Sequence, residues 1–349
     1  MRRRALSLLA AIALLTVACG PRDGGSVPST CSTPPPTGPG GCGSAPLVEL
    51  KVGLGYLPSV QFAPFYLAQQ EDAYAKAGLQ VTFENKIDPD LVTLVGQGAL
   101  DIGVADGTSV IPAVSQGIPI RYVATIYGTY PSIVFAKSTS GIKTAADLKG
   151  RKIGIPGKYG SSWIMLQALL ESVGLKPDDV TIVEYPDFGQ GVAVQQGAVD
   201  AATGFANNEP VQLQLSGVDV VVLHVDDVVA LPGPGLIAST ATIDAKRAAV
   251  SAFIDATLAA MTQIAADPDK GLEAALAAVP DLATQRDTQK AILEATIATW
   301  SRRGGSPQDY GSIDRAGWEA SLAYLTKLGL VPNPVKVDDL VRTDLRAGS

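Results

Sequence analysis

The sequence predicts an α/β fold of two similar lobes, each a mainly parallel sheet with helices on both faces, with two crossing strands as a hinge. Three observations predict it. The chain repeats itself: Gln97-Gly98-Ala99-Leu100-Asp101 returns 99 residues later as Gln196-Gly197-Ala198-Val199-Asp200. Short apolar runs alternate with helical patterns through both units. Two extended segments, 132–137 and 236–239, fall where one unit gives way to the other. Each copy of the repeat runs through an apolar segment into a polar, turn-forming loop: Asp106-Gly107-Thr108 in the first, Asn207-Asn208-Glu209 in the second. Loops at the carboxyl ends of parallel strands face a binding crevice, so two matched loops suggest a ligand clamp.

Residues 49–55 alternate apolar and polar and predict the first strand. A loop over 56–63 follows, and Pro64 stands where a helix favours proline. Phe65, Leu67, Ala68, Ala73 and Ala77 suit a helix packed on a sheet, and Gly78 suits its end. Next come a strand over 80–84, a helix near 89–95, a strand over 101–105, a helix over 109–116 and a strand over 120–126. The second unit tracks the first: strand 152–155, loop 156–161, helix 162–173, strand 180–185, helix 189–196, strand 201–205, helix 210–215 and strand 218–225. The remainder reads as helices over 244–266, 268–279, 285–303 and 315–328, a tail expected to pack on the first lobe.

The N-terminus reads as a targeting segment. Arg2-Arg3-Arg4 is its charged part and 5–17 its apolar part, too short for a stable membrane span. Thr16-Val17-Ala18-Cys19 resembles the lipobox of bacterial lipoproteins, which implies cleavage before Cys19 and a lipid on its sulfur. Thr16 stands where the commonest lipobox has leucine, and an ordinary secretory signal is the other reading. Both place the mature protein outside the cytoplasm; the lipobox adds a lipid anchor on the extracytoplasmic face of the cell membrane. Residues 21–46 are rich in Pro, Gly, Ser and Thr and read as a flexible tether. Cys31 and Cys42 lie in it and can pair or stay apart. The expected organisation is a leader over 1–18, a lipidated tether over 19–46, the first lobe over 47–136, the second over 137–236, and a return to the first lobe over 237–340. No later stretch reads as long and apolar enough to span a membrane.

Composition narrows the partners. The chain has 349 residues, 46% hydrophobic and only 17% charged, with a formal net charge of −7. Without Arg2, Arg3 and Arg4, 24 basic side chains face 34 acidic ones, a net of −10. That balance disfavours nucleic acid and anionic membrane surfaces, which are held by clustered Lys and Arg. The body has no cysteine and one histidine, His224, on a strand that reads as buried and structural, so a His-rich zinc site is excluded and no metal is expected. No cofactor is expected, and a monomer is.

Four loops carry the candidate site. Ser59, Gln61 and Phe62 lie in the first; Gln61 offers donor and acceptor, and Phe62 either stacks on a ligand or staples its helix to the core. Asp106 either binds ligand or caps the next helix. Lys158, Tyr159, Gly160, Ser161 and Ser162 form a glycine- and serine-rich entry to a helix, a polar or anion-binding nest in which the serines can also be simple caps. Tyr159 is the stacking candidate there. Tyr185 ends a strand at the cleft. Asn207, Asn208 and Glu209 end the strand of the second repeat, and amides beside a carboxylate are costly to bury unpaired, which favours a ligand partner. Tyr127 and Tyr130 sit at the crossing; Trp163 and Trp300 read as core or surface helix positions.

Gly55-Tyr56-Leu57-Pro58 with Phe62-Ala63-Pro64-Phe65-Tyr66-Leu67-Ala68 resembles the opening of one family of type II periplasmic substrate-binding proteins. The segment from Gly141 to Gly150 resembles its second-lobe entry, and Gly204-Phe205-Ala206-Asn207-Asn208-Glu209-Pro210 resembles the loop of its vitamin-related branch. The resemblance covers residues 48–339, nearly the whole body. It implies a bilobal clamp serving an ABC importer for thiamine pyrimidine precursors, riboflavin, aliphatic sulfonates, taurine or nitrate, with an ABC permease as partner. Acidic, amide-rich loops with Lys158 as their only basic residue suit a small neutral heteroaromatic ligand: riboflavin first, a thiamine pyrimidine precursor second, an aliphatic sulfonate last. Related pyrimidine synthases use a cysteine-rich motif and active-site histidines that this body lacks, so the expectation is a binding protein and not an enzyme.

Overall fold

A computed structural model describes residues 46–346, apart from 88, 89, 230 and 303. The leader, most of the tether and Cys19, Cys31 and Cys42 lie outside the described residues, as do the expectations placed on them. The folded body holds two five-stranded sheets.

The first sheet is ordered β2-β1-β3-β10-β4, from β1 (Val48–Leu54), β2 (Leu79–Asn85), β3 (Ile102–Ala105), β4 (Ile120–Thr125) and β10 (Gly235–Ser239). The second is ordered β7-β6-β8-β5-β9, from β5 (Ser132–Lys137), β6 (Lys152–Ile155), β7 (Thr181–Glu184), β8 (Ala201–Phe205) and β9 (Val220–His224). In each, four strands run the same way and one is reversed: β10 is antiparallel to β3 and β4, and β5 to β8 and β9. The two segments expected to cross are thus full sheet members, one per lobe. The chain changes lobe just before each, over 126–131 and 225–234. Those connections meet where the Ile126 and Tyr127 amides donate to the Pro234 carbonyl.

Both sheets are covered on both faces, as expected where crossover helices flank parallel strands. In the first lobe Leu236 and Ala238 face α1 (Ala63–Gln70), α8 (Thr240–Ala266), α9 (Pro268–Ala278) and α10 (Arg286–Trp300). Ile237 faces the other way, toward α3 (Asp90–Gly96), α4 (Gly107–Ser115) and α11 (Arg315–Lys327). In the second lobe Val134 and Ala136 pack with α5 (Gly160–Glu171), and Ile133 and Phe135 with α6 (Gln190–Gln196) and α7 (Glu209–Leu215). Period-two alternation on a strand thus feeds two cores at once. Each fully buried Leu, Ile or Phe contributes about 1.5–3 kcal/mol.

Two expectations change. Helix α8 is long and apolar enough by composition to cross a membrane, contrary to the reading that no such stretch follows the leader. Half of that stretch is buried, with Val250, Phe253, Ile254, Met261 and Ile264 in the first lobe's core, which accounts for its apolarity without a bilayer. His224 ends β9 with an exposed ring, its Nδ1 3.8 Å from Asp226, because β9 is an edge strand and not a buried one.

Candidate functional site

The repeat explains why the loops meet. In each copy a glycine in the left-handed region, Gly98 or Gly197 (φ 75° in both), turns the chain from helix into strand. The aspartate that follows clasps the neighbouring parallel strand of its own lobe, β1 in the first and β6 in the second. Asp101 Oδ2 accepts from the Lys51 amide at 2.9 Å, and Asp200 Oδ2 from the Lys152 amide at 2.8 Å. The Asp101 and Asp200 amides donate in return to the Lys51 and Lys152 carbonyls, at 2.8 and 2.9 Å. Identical clasps set β3 against β1 and β8 against β6, so equivalent loops leave equivalent strand ends. The space between them is a cleft of about 1030 Å³, counting its open mouth.

Aromatic side chains wall this cleft. Tyr56, at the end of β1, meets Phe188 of the second lobe edge-on, with ring centroids 5.1 Å apart at 84°. Phe188 holds a positive φ of 60°, unusual for a bulky residue, which turns its ring to that position. Phe62 lines the cleft and also packs on Phe65 at 6.2 Å, so it serves both the site and the core. Tyr159 lies against Gly157, where no Cβ intervenes, and leaves 40% of its surface exposed. Tyr127 and Phe205 complete the wall.

The polar groups differ in how fully the protein uses them. Asp106 Oδ1 accepts from the Thr108 and Ser109 amides at 2.8 and 3.3 Å and from the Thr108 hydroxyl at 2.5 Å. Tyr130 donates to Oδ2 at 2.8 Å. Asp106 therefore caps α4 and anchors the crossing connection while lining the cleft. Burial pushes its carboxyl up, against hydrogen bonds that pull it down. Glu209 Oε2 accepts from the Phe205 amide at 2.9 Å and Oε1 from Gln190 Nε2 at 3.2 Å. It has fewer donors, and burial pushes its carboxyl up to about 7. Its Oε2 lies flat on β8 because residue 204 is glycine: a Cβ there would stand 2.7 Å from that oxygen.

Gln190 is 1% exposed and lines the cleft. Its amide nitrogen points at Glu209 and, at 3.4 Å, at the Thr203 carbonyl, which leaves Oε1 as a buried acceptor without a protein donor. Gln61 Oε1 accepts from Asn207 Nδ2 at 3.0 Å, and the same nitrogen is 2.8 Å from the Thr296 hydroxyl on α10. Asn207 thus ties the second lobe to the first and to the C-terminal helices.

Of the residues the sequence suggested, Gln61, Phe62, Asp106, Tyr159, Gly160, Ser161, Ser162, Asn208 and Glu209 line the cleft. Four do not. Ser59 caps the turn over Val60–Phe62 and holds the Gln61 amide at 3.2 Å. Lys158 lies 5.8 Å over the Trp163 ring. Tyr185 packs beneath, against the second lobe's core. Asn207 stands behind Gln61. Neither Ser161 nor Ser162 caps α5, whose N-cap residue is Tyr159, without a side-chain bond. Tyr56, Phe188, Phe205 and Gln190 line the cleft and were not singled out. Tyr56 and Phe205 lie within the motifs that carry the family resemblance, and Phe188 and Gln190 leave no signal in the sequence that points to a ligand. Among the lining residues there are two carboxylates and no Lys or Arg. Among the described residues no group of three metal-ligating side chains occurs.

Comparisons with known proteins agree with this geometry. Residues 59–271 match the family described as NMT1/THI5 like. The chain is 32% identical to the riboflavin-binding protein RibY of Chloroflexus aurantiacus, over 100% of this chain and 99% of that one. It is 28% identical to the 4-amino-5-hydroxymethyl-2-methylpyrimidine phosphate synthase THI13 of Saccharomyces cerevisiae, over 46% of this chain and 47% of the synthase. The alkanesulfonate-binding protein SsuA of Xanthomonas axonopodis pv. citri superposes with a TM-score of 0.67 at 20% identity, over 86% of this chain and all of that one. The nitrate-binding protein NrtA of Synechocystis PCC 6803 does so at 0.63 and 15%, over 86% and 87%. These show the periplasmic binding protein fold, and the full-length relative is a binding protein, which supports a solute-binding role over a catalytic one. The chain belongs to the NMT1/THI5-like family.

Proposed function

We propose that this protein is the lipid-anchored solute-binding component of an ABC importer, held through Cys19 on the extracytoplasmic face of the cell membrane, and that it captures riboflavin and hands it to a permease. The observation that carries the reading is the cleft: aromatic walls from both lobes, amides and two carboxylates, and no cation among the lining residues. A flat heteroaromatic ring gains apolar burial and about 0.5–1.5 kcal/mol per well-placed aromatic partner. Its hydroxyls and ring N–H find acceptors in Glu209 and the Gln190 Oε1. A sulfonate or nitrate would meet Asp106 and Glu209 with no compensating charge. The full-length relative named as riboflavin-binding points the same way. Titration with riboflavin is expected to quench flavin fluorescence and raise the Tm, since ligand at a hundredfold excess over Kd stabilises by about 2.7 kcal/mol. Neither effect would mean another ligand. Cys19→Ser is expected to release the protein from the membrane fraction.

One observation favours a second reading, a thiamine pyrimidine precursor. Glu209 presents a carboxyl whose pKa of about 7 lets it either accept from an aminopyrimidine or donate to its ring nitrogen. Competition between riboflavin and 4-amino-5-hydroxymethyl-2-methylpyrimidine decides between the two.

A further inference from the structure

The space between the lobes has two chambers. Outside the aromatic cleft lies a second, open pocket of about 1110 Å³ counting its mouth, bordered by Leu57 and Gln285 on one side and by Asp187, Gln195 and Ser216 on the other. Tyr56, Phe188, Asn208 and Glu209 border both chambers, so the Tyr56–Phe188 edge pair partitions them. The outer chamber is rich in amides and hydroxyls. It carries two carboxylates, Asp187 and Glu209, and no Lys or Arg among its lining residues. Arg286, the neighbour of Gln285 in sequence, is tied to Glu273.

The carboxylates also occupy the backbone donors that an anion would use. Phosphates are commonly held by amides at turns and helix starts. Here the Gly189 amide donates to Asp187 Oδ1 at 3.1 Å, and the Phe205 amide to Glu209 Oε2 at 2.9 Å. A hydroxyl can donate to these oxygens, whereas an ionised phosphate meets the charge of Asp187 and, as pH rises past about 7, that of Glu209 as well.

We propose that the outer chamber is a second subsite for a neutral, hydroxylated substituent on the ring held in the aromatic cleft, and that Asp187 and Glu209 exclude ligands whose substituent carries a phosphate. This rests on the proposed capture of a planar heterocycle, but not on which heterocycle it is.

The test uses two ligand pairs titrated calorimetrically into the full protein: riboflavin with riboflavin 5′-phosphate, and 4-amino-5-hydroxymethyl-2-methylpyrimidine with its phosphate. Lumiflavin, a flavin ring without the hydroxylated chain, is a fifth ligand. Within the pair that binds, the neutral member is expected to bind at least tenfold more tightly, and higher salt to narrow the gap. Asp187→Asn keeps an oxygen for the Gly189 amide and is expected to reduce the neutral-to-phosphate ratio at least threefold. Lumiflavin is expected to bind at least tenfold more weakly than riboflavin. A phosphate ester binding within threefold of its alcohol, an unchanged ratio in Asp187→Asn, or lumiflavin matching riboflavin overturns the proposal. If the flavins fail while the pyrimidine alcohol outbinds its phosphate, the riboflavin reading falls and the phosphate exclusion stands. If none of the five binds, both fall.

Discussion

The loops after β3 and β8 start from the same clasp and end in opposite economies of hydrogen bonding. Asp106 is ringed by donors from its own helix start and from Tyr130, so its carboxylate is spent on structure. Glu209 has the Phe205 amide, its own amide and the Gln190 side-chain amide, sits beside an unpartnered Gln190 oxygen, and borders both chambers of the cleft. The repeated scaffold places a carboxylate at each strand end. The number of local donors around it decides whether it braces the fold or stays available to a ligand.

The largest expected effect lies at Glu209. An acid whose native pKa is raised keeps its proton in the folded state to higher pH than in the unfolded chain. Its ionisation therefore costs nothing below pH about 4.5, and the cost grows until pH passes about 7. Beyond that the cost is constant, at most about 3 kcal/mol. Relative to Glu209→Gln, wild-type stability should fall across that window in urea unfolding measured at a series of pH values. Parallel pH curves would remove the contrast with Asp106.

Asp106→Ala should destabilise by about 2 kcal/mol, from a lost cap and the lost hydrogen bond from the buried Tyr130 hydroxyl. A variant of unchanged stability that lost only ligand affinity would make the two carboxylates alike after all. Gln190→Leu should weaken ligand binding about tenfold, or about 1.4 kcal/mol, and lower the Tm of the free protein less than Asp106→Ala does, since the lost donor to Glu209 is offset by removal of an unpartnered buried oxygen. A large fall in Tm with normal affinity would make Gln190 a structural residue.

The smallest effect separates the two clasps themselves. Asp101 also pairs at 2.8 Å with Lys246, itself the non-helical residue within α8 (φ −127°, ψ 29°). Lys246→Ala should cost about 0.5 kcal/mol, since partly exposed ion pairs contribute little. A cost several times larger would mean that the first clasp depends on α8 in a way the second has no means to match.

Much of this was legible in the sequence because it is local. The repeat located β3, β8 and their loops; glycine stops and apolar alternation located most helices and strands within a few residues. What escaped is set by contacts between distant segments. Asn207 looks like a ligand amide beside Asn208, yet it is consumed by Gln61, 146 positions away, and Thr296, 89 positions away. Tyr56 and Phe188 form a wall only because two lobes face each other. Gln190 reads as a polar first residue of a helix, and nothing near it in the chain announces burial to 1%. Lys158, the one cation in the candidate loops, turns onto Trp163 instead of into the cleft.

The reversed strands carry a consequence for how the chain acquires its shape. The second sheet is built from one continuous stretch, β5 to β9, and contains everything it needs by residue 224. The first sheet is not: β3 and β4 do not touch as ladder partners, because β10 lies between them, and β10 is the last strand among the described residues. An emerging chain can close its later lobe before its earlier one. Until residues 235–239 arrive, β3 and β4 each hold an open ladder edge of the kind that invites wrong pairings. A chain stopped between β9 and β10 would hold every strand of the second sheet and lack one strand of the first.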